Sequence, residues 1–213
     1  MYDRLGARTP EALDSATRTR IHDVAEWLTG TSQRRWLYLA GRIGCGKSTM
    51  ARAIMEAVAL FVARTKREID DAAWRMPPEE PERSAYKREI LRRRTILDNV
   101  PQPLMVSAKE MARIIASEGD EGYERLRNHP CLVIDDVGTE PQEVRVYGSV
   151  HNPFEEVIEA RYNLGRLTIM TSNLRINMGR TEGTSIASRY GDRIADRFME
   201  ECQRVVFLGD SYR

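Results

Sequence analysis

Residues 41–48 read GRIGCGKS, a spacing suited to holding a phosphate chain. Gly41, Gly44 and Gly46 permit backbone geometry that side chains block. The amides of such a loop, with the N-terminus of a following helix, point at phosphate oxygens. Lys47 is placed to reach the β- and γ-phosphates, and the Ser48 hydroxyl to hold Mg²⁺. Arg42, Ile43, Cys45 and Thr49 complete the expected nucleotide-binding stretch. A glycine-rich turn that binds nothing is the alternative, and the complete match of G-x-x-x-x-G-K-[ST] argues against it.

A second cluster lies at 131–138, CLVIDDVG. An apolar run ending in paired acids is the Walker B pattern. Asp135, at the strand end, is expected to hold the hydrated magnesium ion, and Asp136 to orient and polarise an attacking water. A third candidate is Asn173, which follows the apolar run 167–171 and the polar pair Thr171 and Ser172. In a sheet that inserts this strand between the other two, its end faces the γ-phosphate. Asn173 is then a catalytic candidate beside Lys47 and Asp136.

These residues need a parallel sheet to bring them together, and the chain is patterned for one. Apolar runs at 36–40, 104–107, 131–135, 167–171 and 204–208 read as buried strands. Segments 11–29, 47–63, 108–117, 153–163 and 185–201 read as helices, the last as one or two. Ala12, Ile21, Val24, Ala25, Trp27 and Leu28 supply the apolar face of the first, and Gly30 ends it. Strands alternating with helices predict an α/β fold, an open parallel sheet covered on both faces.

Residues 64–103 differ, being dense in charge with Pro77, Pro78 and Pro81 in the middle. They read as a helix, a proline break and a second helix, a charged helical insertion. Arg83, Lys87, Arg88, Arg92, Arg93 and Arg94 crowd its second half, either a phosphate-contacting patch or a solvated helix face.

The chain has 213 residues, with 33 basic against 32 acidic, a net charge of +1. That size suits one domain with a small appendage. The charge balance excludes a global positive field, so any nucleic-acid site is a local patch. Cys45, Cys131 and Cys202 are far apart and lack metal-ligand spacing, which predicts reduced thiols and no structural zinc. No apolar run approaches the roughly 20 residues of a membrane helix. A cytoplasmic protein with no membrane partner is the expectation.

The combination GRIGCGKST, LVIDDVGTE, TIMTSNL, RYGDRIADRF and a terminal GDSYR resembles the DnaC/DnaI/IstB group of AAA+ ATPases, helicase loaders and transposition helpers. The resemblance spans residues 33–213, leaving 1–32 as a short N-terminal helical segment. It implies an AAA+ P-loop core with a five-stranded parallel sheet of order 5-1-4-3-2. It also implies ATP and Mg²⁺ as cofactors, with ATP at the interfaces of a homo-oligomer. Asn173 matches the family's sensor. Arg197 matches the position from which a neighbouring subunit inserts an arginine finger, with Arg193, one turn earlier, as the second candidate. The other reading makes Arg189, Arg193 and Arg197 one solvated basic helix face. Contact with a replicative helicase, by this resemblance, would fall to the Leu13–Leu28 helix or to the insertion.

The leading function implied is an ATPase assembling on single-stranded DNA to load a helicase in DNA replication. The same motifs serve a transposition helper on duplex DNA. A P-loop small-molecule kinase and a nucleotide-gated binding module are readings from other classes.

Overall fold

A computed structural model describes residues 14–73, 75, 77, 79, 81–98, 100, 102–146, 148–176 and 185–207. Pro78, the tail Asp210 to Arg213 and Leu208 of the last expected strand lie outside them. The chain divides into two compact units, Met1–Arg52 with Pro103–Arg213, and Ala53–Gln102.

The first unit is built on five strands, β1 (Trp36–Gly41), β2 (Leu104–Ser107), β3 (Cys131–Val137), β6 (Leu167–Ser172) and β7 (Cys202–Phe207). A separate antiparallel hairpin, β4 (Val144–Val146) and β5 (Ser149–His151), intervenes between β3 and β6 in sequence. All pairings in the main sheet are parallel, in the order β2-β3-β6-β1-β7. The hairpin shifts the numbering away from the anticipated 5-1-4-3-2. Counted among the five parallel strands alone, the sheet read from the β7 edge has that order.

The apolar runs become strands because they are covered on both faces. Leu37, Leu39, Leu132, Val133 and Ile134 are fully buried. Each such side chain contributes about 1.5–3 kcal/mol by leaving water. Trp36 and Tyr38 meet Phe198 edge-on at 5.7 and 5.4 Å between ring centroids. That fixes the helix carrying Phe198, α8 (Asp192–Glu201), against β1.

The covering helices are α1 (Ser15–Leu28), α4 (Ala108–Glu118), α5 (Asp120–Asn128), α6 (Pro153–Asn163) and α7 (Ile186–Tyr190), with α8. Asp14 caps α1 by accepting the Thr17 N–H at 2.7 Å. The anticipated apolar face of α1 is only partly buried. Val24 and Trp27 are inside, Leu28 is exposed, and the guanidinium of buried Arg20 lies 4.9 Å from the centroid of the Phe207 ring. Helix α5 has no counterpart in the sequence reading, because its DEGYERLRN is nearly all polar. Close packing holds it: a Cβ on Gly122 would meet Ile114 Cγ2 at 2.7 Å.

Helix α2 (Lys47–Ala73) joins the helix expected at 47–63 to the first helix expected in the insertion, without a break between them. Its part from Ala53 onward, with α3 (Glu82–Asp98), makes the second unit. There Tyr86 donates to the Ala72 carbonyl at 2.8 Å, and Lys66 pairs with Asp98 at 2.6 Å. Arg94 pairs with Asp70.

Candidate functional site

Strand β1 delivers the loop 41–46 to the N-terminus of α2. Gly41 is required for space, since a Cβ there would lie 2.6 Å from the Phe207 carbonyl oxygen and 3.0 Å from Cys45 Sγ. Gly44 and Gly46 adopt φ of +82° and +94°, where other residues are strained. Buried Cys45 fastens the turn, its thiol donating to the Arg42 carbonyl at 2.8 Å. Ile43 is 70% exposed and Arg42 is exposed too, so neither side chain holds the loop from within. The Met50 N–H bonds to the Gly46 carbonyl at 2.9 Å. The amides of Lys47, Ser48 and Thr49 precede it, in the first turn that lacks intrahelical acceptors.

Lys47 is only 5% exposed. Its ammonium donates to the Gly41 carbonyl at 2.9 Å, the Arg42 carbonyl at 2.7 Å and Asn173 Oδ1 at 2.8 Å. All three acceptors are neutral. A buried charge is costly without a counter-charge, and a phosphate group entering this loop supplies one. Asn173 is itself exposed and stands at the end of β6, the strand between β1 and β3.

The Ser48 hydroxyl donates to Asp135 Oδ1 at 2.8 Å, and Thr171 Oγ1 donates to the same oxygen at 2.5 Å. Asp135 is buried, two residues before the end of β3. A hydroxyl and a carboxylate side by side are the oxygen donors a hard cation such as Mg²⁺ takes. The residues present therefore fit a magnesium-bound phosphate chain.

Asp136 is turned differently from its neighbour. The register of β3 on β6 shifts between Ile134 and Val137, and Asp136 has φ of +57°, the only non-glycine among the described residues with positive φ. Such a bulge re-aims a side chain, and here it leaves Asp136 exposed beside buried Asp135. Two groups hold the conformation: Thr171 Oγ1 accepts the Asp136 N–H at 2.9 Å, and the Asp136 carbonyl accepts the Thr139 hydroxyl at 2.8 Å. Thr171 thus touches both acids. The sequence reading named it only as a strand end, and its one legible signal is a hydroxyl residue closing an apolar strand.

The solved structures similar to this chain include a DnaC helicase loader, at 18% identity over 92% of each chain with a TM-score of 0.56. DnaI is also 18% identical, over 95% of this chain and 87% of its own, at 0.51. AMPPCP-bound DnaA from Aquifex aeolicus is 16% identical over 93% of this chain and 48% of its own, at 0.53. The chain shares its fold with DnaC and DnaI. No protein-family model and no curated protein matches its sequence.

In this DnaC-like fold the three arginines near the C-terminal end differ. They do not share one helix, because Gly191 at φ +83° separates α7 from α8. Arg189 turns inward onto Glu140. The Arg197 side chain is 11% exposed, stacks over Tyr162 at 4.8 Å and lies 2.9 Å from Glu159 Oε1. Arg193 is 3.0 Å from the same oxygen but 73% exposed. The single basic face considered from sequence is not formed. Both pair with Glu159, but Arg197 is buried against Tyr162, whereas Arg193 is largely exposed. No helix among the described residues is long and apolar enough to cross a membrane.

Proposed function

We propose that this protein is a Mg²⁺-dependent ATPase of the helicase-loader type, acting in DNA replication and assembling on single-stranded DNA. The observation that carries the reading is the convergence of Lys47 on Asn173 and of Ser48 on Asp135, at the ends of three adjacent parallel strands. The likeness of fold to a DnaC helicase loader and to AMPPCP-bound DnaA supports it.

In this reading residues 41–49 bind the triphosphate. Lys47 exchanges a loop carbonyl for phosphate oxygens. Ser48 and Asp135 hold the ion, which when bound neutralises charge building on the phosphates. Asp136 orients the attacking water, and Asn173 keeps its amide N–H₂ free to donate to the γ-phosphate or that water. Arg193, ahead of Arg197, reaches into a neighbouring subunit's site in a homo-oligomer with ATP at its interfaces. An arginine supplied in trans is worth about 10³–10⁵ in rate. Residues 33–213 form the ATPase domain, 64–103 its insertion, and a cytoplasmic replicative helicase is the partner.

The test is steady-state ATP hydrolysis against protein concentration, alone, with single-stranded DNA and with duplex DNA. A rate per subunit that rises with concentration and responds chiefly to single strands supports the reading. Stimulation chiefly by duplex replaces it with the transposition-helper function. A rate indifferent to concentration and to both DNAs overturns the shared site.

A further inference from the structure

Glu140 lies four residues beyond Asp136, and nothing in the nucleotide site uses it. Its side chain is fully buried. An isolated buried carboxylate is expensive, and this one is satisfied by groups from two directions. On its own loop it accepts the Gly138 N–H at 2.9 Å. From α7 it accepts the Tyr190 hydroxyl, and Arg189 Nη2 lies 3.4 Å away. Arg189 Nη2 also donates to the Glu140 carbonyl, and the Gln142 side chain donates to the Arg189 carbonyl at 2.6 Å.

Each end of this clamp leads somewhere. Gly138, at φ +100°, belongs to the turn closed by the Thr139 N–H to the Asp136 carbonyl at 3.2 Å. That turn holds Asp136 in its left-handed conformation. At the other end, Tyr190 is the last residue of α7, and α8 with exposed Arg193 begins two residues later. The Tyr190 ring is wedged on Phe154 at 4.4 Å between centroids, so it cannot swing without moving α7. Burial, then Glu140 beside it, push the Tyr190 hydroxyl well above its usual range, which keeps it a donor.

We propose that Glu140 is a positioning residue that locks the Asp136 turn to the α7–α8 arginine segment, so that the two move together when nucleotide binds. This rests on the reading of Asp136 and Arg193 given above. Glu140 touches neither nucleotide nor water. It acts by fixing where Asp136 and α8 stand, and a misplacement of about 1 Å costs about 10²-fold in rate.

Three readouts test it on the full chain, comparing wild type with Glu140→Gln and with Tyr190→Phe, both near-isosteric. The first is binding of a non-hydrolysable ATP analogue. The second is kcat at saturating ATP and protein. The third is hydrogen exchange of residues 192–201 with and without the analogue. In wild type, the analogue slows exchange in 192–201. In both variants analogue affinity stays within about threefold of wild type, kcat falls roughly 10²-fold, and the analogue no longer slows exchange in 192–201. The double variant loses no more than the worse single one, because both break the same clamp. Variants with normal kcat, or with nucleotide-dependent protection of 192–201 intact, overturn the proposal. So does a loss confined to analogue affinity. Wild type that binds the analogue without protecting 192–201 overturns the coupling alone. Wild type that binds no analogue overturns the proposed function, and this inference with it.

Discussion

Replacing Thr171 by valine removes one hydroxyl and keeps the shape of a side chain that is fully buried. Two bonds go with it: the donation to Asp135 Oδ1 at 2.5 Å and the acceptance of the Asp136 N–H at 2.9 Å. A hydrogen bond to a charged group is worth about 1.5–3 kcal/mol, and an ordinary one about 0.5–1.5 kcal/mol. Asp135 keeps its bond from Ser48, and the Asp136 N–H is only partly buried, so the lower halves of these ranges apply. The sum is about 2–3 kcal/mol. For a chain of this size each kcal/mol moves the melting temperature by about 2–4 °C, giving a loss of roughly 4–12 °C. Turnover falls further than stability suggests, because Asp136 at φ +57° loses one of the groups that hold it there. A drop of about 10–100-fold in kcat is expected, with nucleotide affinity nearly unchanged, since the loop amides and Lys47 are untouched. Melting curves, nucleotide titration and steady-state ATPase measure the three quantities. Thr171→Ser keeps the hydroxyl and is the control. The reasoning fails if valine is as stable and active as wild type. It fails equally if serine is as damaged as valine, which would show that the hydroxyl without the methyl group does not sustain the site.

Lys47→Ala abolishes nucleotide binding or turnover, and chelating divalent cations abolishes turnover in the unaltered protein; ATPase surviving both changes dismantles the site. Arg193→Ala leaves ATP affinity intact and lowers turnover only in the assembled state, read as a lost dependence of rate on protein concentration. Arg197→Ala, which strips a guanidinium from Tyr162 and Glu159, lowers the melting temperature as well; equal melting temperatures for the two variants contradict this assignment. Glu201 is held below the ordinary glutamate value of 4.5 by its hydrogen bond from Arg35, with burial opposing. Its contribution is therefore complete above the unfolded value and lost as pH falls through the lower folded one. Glu201→Gln is expected to destabilise at neutral pH and to matter progressively less on acidification below 4.5, which melting curves across that range check.

The difference between what could be read in advance and what could not follows the range of the interactions. GRIGCGKS and the apolar strands are legible because the glycines and the runs are local: each residue's type is dictated by neighbours a few positions away. Even the pairing of Ser48 with Asp135, separated by 87 positions, follows once the strand order is assumed. Thr171, Glu140 and the arginines are of another kind. A threonine at a strand end is ordinary until the bulge in β3 turns the Asp136 N–H toward it. Helix α5 is hidden because packing, through Gly122 against Ile114, overrides a composition that reads as solvent-exposed. The spacing of Arg189, Arg193 and Arg197 looks like one face only if the helix is continuous. A single glycine at φ +83° breaks it, Glu140 then takes Arg189, and Glu159 takes both Arg193 and Arg197. Of the two finger candidates, Arg197 had the better place in the pattern. Burial of Arg197 against Tyr162 is what favours Arg193 in the proposed function, and no spacing rule contains that contact.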